Sequence, residues 1–245
     1  MARLLLIEDE VDTRDMLAIL LELAGYHVTA VASEAAGVRA LELGGFDLVI
    51  ADLLIERGTV ADAWAYIARV VATASPTPVG LITGWNVAGA AVDHLAFTLR
   101  KPYSPDTLFA QLGATLGLPE LSAEAVEMVR EYFRCLEAGG SYDRFRSLLA
   151  SDFVYRLPGE DPRFSNEIRG IDAFIDLTVR TFRLLESPTF EIETLRPLPK
   201  GALVQYVGRW RENGVEHVMP GAVIFQFAGD RIARADVRVN TDELR

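Results

Sequence analysis

Short apolar segments alternate with helical segments through the first 118 residues, and this alternation constrains the fold more than any other feature. Strands are predicted at residues 3–7, 27–31, 46–51, 78–82 and 97–100. Most stretches between them carry apolar residues at helical spacing, begin at a capping serine or end at a glycine. The alternation predicts a parallel five-stranded sheet with helices on both faces, a doubly wound α/β unit over residues 1–118.

Polar residues lie at the carboxyl ends of these predicted strands, the edge where open α/β sheets bind ligands. Glu8 and Asp9 follow the first strand, Asp52 the third, Thr83 the fourth and Lys101 the fifth. Three neighbouring carboxylates make a hard-oxygen site that suits Mg²⁺, because a divalent cation relieves their repulsion. With a lysine and a hydroxyl beside them, these residues predict phosphoryl transfer onto Asp52 as the nucleophile.

Four motifs resemble the receiver domain of response regulators: LLLIEDE at 4–10, FDLVIAD at 46–52, LITG at 81–84 and RKPYSP at 100–105. The resemblance implies a flavodoxin-like fold, Mg²⁺ as cofactor, and a histidine kinase or phosphotransfer protein as phosphodonor. The positions that it matches are the metal-binding acids Glu8 and Asp9, the phosphoacceptor Asp52, the backbone carbonyl of Leu54 on the metal, and the phosphoryl-sensing pair Thr83 and Lys101.

Two departures from the receiver pattern concern the conformational switch. Receivers usually carry an aromatic residue three positions before the lysine, and here that position is Thr98. Phe97 should face the opposite side of its strand, because successive side chains alternate. The interval of 18 residues from Thr83 to Lys101 is about one helical turn shorter than usual, which predicts a short or irregular helix there. We therefore expect acceptor chemistry without the usual aromatic switch.

The pattern changes at a boundary formed by residues 116–120. Helices are predicted at 122–138, 142–149 and 171–185, a strand at 151–157, and a polar loop at 158–167. Only strands follow, at 190–196, 202–211, 215–227 and 231–239. Helices followed by a strand meander predict an α+β unit over residues 122–245.

Three further motifs, SDFVYRLP at 151–158, AVIFQF at 222–227 and GDRI at 229–232, together with the opening helix, resemble the SnoaL-like branch of the nuclear-transport-factor-like superfamily. The resemblance implies a curved sheet wrapped by helices into a cone. In that family the cavity often binds small apolar molecules. Some members are isomerases, cyclases or hydrolases, and others only bind or dimerise.

Four polar residues are candidates for the cavity of this cone: Asp152, His217, Asp236 and Arg238. An Asp–His or Asp–Arg pair in an apolar cavity can act as general acid and base. The alternative is that Asp236 and Arg238 form a salt-bridged exterior or dimer face with Arg234 and Arg209, and that His217 is structural.

The outer face of the predicted sheet mixes apolar residues with arginines, a composition found at symmetric interfaces. Leu203, Val207 and Ile232 are the apolar residues assigned to this face, and the arginines beside them are Arg209, Arg234 and Arg238. The pattern predicts a homodimer through the C-terminal unit.

The net charge of −11 leaves neither half with a basic surplus, so direct nucleic-acid binding is not expected. No apolar run approaches the ~20 residues that span a bilayer, and the first residues lack the pattern of a signal peptide. The single cysteine, Cys135, excludes an intrachain disulfide and favours a cytoplasmic location.

The sequence therefore predicts a two-component response regulator, in which phosphorylation of Asp52 controls a SnoaL-like ligand-binding or dimerisation unit. The alternative is a receiver-regulated enzyme with its chemistry in the SnoaL-like cavity.

Overall fold

The computed structural model describes residues 1–52, 60–85, 94–138, 142–157, 166–183 and 185–238. These residues form two compact units, and the chain passes from the first to the second between Leu118 and Pro119. Within the described ranges, every helix is too short or too polar to span a membrane.

Five strands in the first unit form a parallel sheet. They are β1 (Arg3–Ile7), β2 (His27–Val31), β3 (Leu48–Asp52), β4 (Val79–Thr83) and β5 (Phe97–Arg100). Their order, β2-β1-β3-β4-β5, is that of flavodoxin-like doubly wound sheets, which confirms the predicted fold class. Four consecutive β1 residues, 4–7, are at most 1% exposed, because elements cover both faces of the sheet.

Four helices of the first unit are described: α1 (Val11–Leu23), α2 (Glu34–Leu43), α3 (Val60–Ala74) and α4 (Pro105–Leu116). The hydroxyl oxygens of Ser33 and Ser104 accept backbone hydrogen bonds at the starts of α2 and α4. Gly117 ends α4 in the left-handed conformation, with a φ of 62°. The short or irregular helix expected between Thr83 and Lys101 falls mainly on residues outside the described ranges.

The second unit contains three helices and six strands among its described residues. The helices are α5 (Ala123–Glu137), α6 (Tyr142–Leu148) and α7 (Ile171–Phe182). The strands are β6 (Leu149–Leu157), β7 (Asn166–Arg169), β8 (Glu186–Leu198), β9 (Gly201–Glu212), β10 (Val215–Ala228) and β11 (Arg231–Arg238). The sheet order is β7-β6-β11-β10-β9-β8, with only β6 and β11 parallel, which confirms the α+β class.

One strand of this sheet was not predicted. Residues 166–169 form β7, whereas the sequence pattern assigned a loop through residue 167. The segment reads as polar, but Glu167 lies opposite Arg156 of β6 and forms an ion pair with it. Pairing with a neighbouring strand thus stabilises a segment whose own residues do not favour a strand.

Aromatic rings fill the space between the helices and the sheet of the second unit. Tyr132, Phe145, Phe153 and Phe225 are among the buried residues there, and neighbouring ring centroids in this core lie 4.8 to 6.3 Å apart. Edge-to-face contacts are frequent among them, the arrangement that aromatic quadrupoles favour. Among the described residues, aromatic side chains thus pack against one another in the region in which the sequence predicted a cavity.

Ile232 lies in this aromatic core and is fully buried, so its assignment to the outer face was wrong. The core also contains Ala235 and Val237, which are odd-numbered. The change of parity arises because the pairing of β11 with β6 shifts register between Ile232 and Arg234. Such an irregularity reverses the faces of the residues on one side of it.

Candidate functional site

The carboxyl edge of the parallel sheet brings together four polar residues from separate parts of the chain. Glu8 follows β1, Asp52 ends β3, Thr83 ends β4 and Lys101 follows β5. The amide of Lys101 donates to the carbonyl of Thr83 at 2.8 Å, which continues the β4–β5 pairing past the strand end. The ends of adjacent parallel strands thus position side chains that are up to 93 residues apart.

Three carboxylates form the centre of this edge. Glu8, Asp9 and Asp52 each offer an oxygen, and these oxygens lie within 4.8 Å of one another. Glu8 is 1% exposed, and the side chain of Asp52 is 15% exposed. A compact, largely buried set of carboxylate oxygens fits the hard-ligand preference of Mg²⁺. Leu54, the expected source of a carbonyl ligand, lies outside the described residues.

Lys101 bridges two of the carboxylates. Its Nζ donates to Asp52 Oδ2 at 2.8 Å and to Glu8 Oε2 at 3.1 Å. Burial by itself lowers the pKa of Lys101, but the hydrogen bond to Asp52 and the charges of both carboxylates outweigh it, so the pKa is raised. Lys101 therefore remains a cation placed against the predicted acceptor.

Within this group, the ionised form of the Glu8 carboxyl is destabilised. Burial, and next the charge of Asp52, raise the pKa of Glu8 from 4.5 to about 7, although Lys101 opposes the shift. A carboxyl group whose ionised form is destabilised by burial and by a neighbouring carboxylate is typical of sites that bind a cation or a charged group.

Thr83 presents a fully buried hydroxyl at the same edge. Its Oγ1 accepts a hydrogen bond from the amide of Trp85 at 3.0 Å. Because Oγ1 acts as an acceptor in this contact, the hydroxyl hydrogen remains available for donation to another oxygen. Trp85 is 53% exposed, so an accessible indole lies two residues after Thr83 in the chain.

The aromatic residue next to the switch position points into the core. Phe97 is buried, and a Cβ placed on Gly80 would lie 2.1 Å from the Cζ of its ring. Glycine at position 80 is therefore what allows the ring to sit against β4. Thr98, paired with Leu81, lies on the opposite face and is half-buried.

Two residues near the acids were missed in the sequence. Burial raises the pKa of Tyr103 to about 12, with opposing contributions from Lys101 and the carboxylates. Its place two residues after Lys101 could have identified it. Arg14 donates to the carbonyls of Glu8 and Asp9, but it lies in a helix rather than at a strand end, so no edge pattern marks it.

Asp236, a predicted cavity residue, lies on the sheet face opposite the aromatic core. Its neighbours Ala235 and Val237 belong to that core, and side chains alternate along a strand. The Asp236 carboxylate is 3% exposed and accepts from Arg234 Nε at 2.6 Å and Nη2 at 3.2 Å. Arg156 Nε lies 4.0 Å away. The prediction of a cavity acid is therefore wrong, and the alternative of a salt-bridged face fits these contacts.

Asp152 also faces away from the core. It is exposed, and its neighbour Phe153 is one of the buried core aromatics. Because alternate residues of β6 face opposite sides, Asp152 does not line the interior. At the end of β11, the backbone of Arg238 pairs with Ala222 of β10. This pairing continues the antiparallel register in which Asp236 pairs with Ile224.

His217 lies on the core side of β10, but near the far end of the strand. It pairs with Trp210 of β9, and the two rings stack with centroids 5.5 Å apart and planes 12° apart. Asp152 and Asp236 lie on the opposite face, so the predicted Asp–His pair does not form.

Residues 129–235, less than half of the chain, match the family model of the SnoaL-like domain. Three solved structures are similar to parts of the chain. The response regulator TrrA of Thermotoga maritima, in complex with Mg²⁺ and BeF, shares 19% identity over 47% of this chain and 100% of that chain, with a TM-score of 0.43. Chemotaxis protein CheY4 of Vibrio cholerae shares 26% identity over 47% and 99%, with a TM-score of 0.41. A protein named as a SnoaL-like polyketide cyclase from Jannaschia sp. CCS1 shares 14% identity over 49% and 90%, with a TM-score of 0.42.

Among curated proteins, none matches this chain significantly. The sheet order thus gives the first unit a flavodoxin-like fold, and the family match makes residues 129–235 of the second unit similar to the SnoaL-like domain.

Proposed function

We propose that the protein is a two-component response regulator whose first unit is phosphorylated on Asp52. One observation carries the proposal: three carboxylates with oxygens within 4.8 Å of one another lie beside a lysine whose Nζ is 2.8 Å from Asp52 Oδ2. Like charges at this spacing are costly unless the site binds a cation, and a lysine beside the acceptor neutralises an incoming phosphoryl group.

In the proposed reaction, an Asp52 carboxylate oxygen forms a bond to the phosphorus of a phosphohistidine while the P–N bond breaks. The electron pair of the broken bond returns to the imidazole nitrogen, and an aspartyl phosphate remains. Lys101 pairs with a phosphoryl oxygen, and Thr83 donates its hydroxyl hydrogen to another. The phosphodonor is a histidine kinase or a phosphotransfer protein of the cytoplasm.

Asp9, Asp52 and the carbonyl of Leu54 would hold Mg²⁺ directly, and Glu8 would act mainly through water. When bound, the ion neutralises charge on the transferring phosphoryl oxygens. Asp9 follows β1 and Asp52 ends β3, so the two carboxylates would hold the ion from different strand ends, and Mg²⁺ would keep several of its waters.

Incubation of the full chain with phosphoramidate and Mg²⁺, followed by intact-mass spectrometry, tests this proposal. We expect the wild type to gain one phosphoryl group, and Asp52→Asn to gain none because it lacks the nucleophile. Lys101→Arg should be phosphorylated poorly, or should fail to pass the effect of phosphorylation to the second unit, although it keeps the positive charge. The reason is that a planar guanidinium cannot replace the compact ammonium as a donor.

Asp12→Asn is the matched control, since Asp12 is an exposed acid three residues after Asp9. It should label like the wild type. Undiminished labelling of Asp52→Asn, or labelling that chelation of Mg²⁺ leaves unchanged, would contradict the assignment.

We further propose that the SnoaL-like unit responds by assembly into a homodimer. Aromatic side chains fill its interior, which favours assembly over a small apolar ligand. Val218 of β10 is 52% exposed and, by the alternation of the strand, lies on the sheet face opposite the aromatic core, which makes it a candidate contact. Light scattering of the full chain should give a dimer that beryllofluoride alters and that Val218→Glu weakens. A monomer under all conditions removes this output, and turnover of an added substrate by the second unit would favour the enzyme alternative.

A further inference from the structure

Arg14 lies in the first turns of α1, immediately behind the acids of the first unit. Its side chain is only 15% exposed. One guanidinium nitrogen, Nη1, donates to the carbonyl oxygen of Glu8 at 3.0 Å and to that of Asp9 at 3.2 Å. A single cationic group therefore fixes two consecutive peptide carbonyls of the turn between β1 and α1.

These two bonds determine where the opposite edges of the same peptide planes point. In a trans peptide the N–H is directed away from the C=O, so carbonyls held on Arg14 turn the amides of Asp9 and Glu10 toward the other side. The Glu10 amide lies 3.3 Å from Glu8 Oε1 and donates to it. The backbone that Arg14 holds thus contributes a donor to the carboxylate cluster.

The guanidinium leaves the carboxylates themselves accessible. Among the described residues, the acidic oxygen nearest to Arg14 belongs to Asp15, at 4.0 Å, and Asp15 is 68% exposed on that side chain. Lys101, by contrast, bonds directly to Asp52 and Glu8. Arg14 therefore supplies positive charge and backbone order without occupying an oxygen that a cation would use.

An arginine suits this task, because the two N–H bonds of Nη1 lie in the rigid guanidinium plane and restrict geometry more than a freely rotating ammonium does. We infer that Arg14 is a positioning residue for the Mg²⁺ site: it holds the Glu8–Asp9 turn in the form that directs the Asp9 carboxylate toward Asp52. This inference rests on the proposed function for its biological purpose, but its test is a binding measurement.

Isothermal titration of the full chain with Mg²⁺ provides that test. We expect Arg14→Ala to raise the dissociation constant for Mg²⁺ about 10- to 100-fold, the usual cost of removing a group that orients metal ligands. Arg14→Lys should recover part of the loss, because an ammonium can reach one of the two carbonyls. Arg39→Ala, on the exposed side of α2, is the control and should bind like the wild type.

A second measurement separates positioning from general stability. With phosphoramidate, Arg14→Ala should need more Mg²⁺ for half-maximal labelling but reach nearly the wild-type rate at saturation. Circular dichroism would establish that each variant is folded, and Arg14→Lys serves as the principal variant if Arg14→Ala unfolds. A merely structural role predicts lowered stability with unchanged Mg²⁺ affinity in the folded variants.

Equal Mg²⁺ affinity of the wild type and a folded Arg14 variant would overturn the inference, as would a wild type that does not bind Mg²⁺. Mg²⁺ binding by the wild type without phosphorylation of Asp52 would instead contradict the proposed function and leave the role of Arg14 intact.

Discussion

The two sheets of this protein place their polar residues by different rules. At the carboxyl edge of the parallel sheet, every strand delivers its last residues to the same side, so Glu8, Asp52 and Lys101 meet. In the mixed sheet of the second unit, alternate residues go to opposite faces. Asp236 and His217 lie on neighbouring strands, but their side chains are on opposite faces of the sheet and do not contact each other.

The difference shows why similar reasoning had unequal success. A strand end is visible in the sequence, and topology then decides which ends are neighbours. To assign a residue to one face of a strand, one must also know whether the odd-numbered or the even-numbered residues point inward. A single register shift reverses that assignment. The second unit is thus held together by its aromatic interior, whereas the acidic site of the first unit is held at a sheet edge.

The largest expected effect is on the aromatic interior. Phe174 is 1% exposed and contacts rings of Phe145, Phe153 and Tyr155 at centroid distances of 5.4, 5.0 and 4.8 Å. Phe174→Ala should lower the free energy of unfolding by about 3 to 5 kcal/mol, measured by urea denaturation of the full chain. Mg²⁺ affinity should stay within twofold, because a different core holds the acids.

Phe182→Ala, in the same helix but half-buried, is the matched control and should cost clearly less. Loss of Mg²⁺ binding in a folded Phe174→Ala protein would show that the two regions depend on each other.

The buried ion pair of β11 should have the next largest effect. Asp236→Asn leaves Arg234 without its charged partner, and we expect a loss of about 2 to 3 kcal/mol. The exposed pair Arg146–Asp172 is the comparison, and Asp172→Asn should cost at most about 1 kcal/mol. If Asp236→Asn and Asp172→Asn lower the free energy of unfolding equally, the structural role assigned to Asp236 is contradicted.

Glu8→Gln, unlike the preceding variants, should raise the stability of the protein. The pKa of Glu8 is raised from 4.5 to about 7 in the folded chain, so the folded state binds more protons between these values. Stability contributed by Glu8 therefore falls as pH rises from 4.5 through 7. Without metal at pH 8, Glu8→Gln should stabilise the protein by about 1 to 2 kcal/mol. Removing the buried charge is favourable, because one pKa unit corresponds to about 1.4 kcal/mol, but the loss of a charged partner of Lys101 offsets part of this gain.

Thermal melts in chelator at pH 8 and pH 5 check this sign. The gain should shrink at pH 5, where Glu8 is already protonated. A variant less stable than the wild type at pH 8 would show that the Lys101–Glu8 contact outweighs the burial of charge.

His217→Ala should have the smallest effect. Cross-strand pairs contribute roughly 0.2 to 1 kcal/mol, so loss of the stacking on Trp210 should cost less than about 1 kcal/mol in urea denaturation. Glu216→Ala, at an exposed neighbouring position, is the control. A cost of several kcal/mol would mean that His217 has partners beyond its stacked ring.

Most of the first unit was predictable because its signals are local. Ser33 and Ser104 cap helices where the sequence indicates, and the strand ends carry the acids, Thr83 and Lys101. Arg14 was not predictable, since its partners are backbone carbonyls that have no sequence signature. β7 was missed because pairing with β6, rather than its own polar residues, makes it a strand. The inward position of Ile232 was missed because it depends on the register of β11 against β6, a strand distant in the chain.

The most direct test of the account locates the phosphoryl group on the chain. The full chain, labelled with phosphoramidate and Mg²⁺, would be reduced with borohydride, which converts an aspartyl phosphate to homoserine, and then mapped by peptide mass spectrometry. The account predicts homoserine at position 52 and at no other acid. Homoserine at another aspartate, or unreduced Asp52 in a labelled protein, would contradict it.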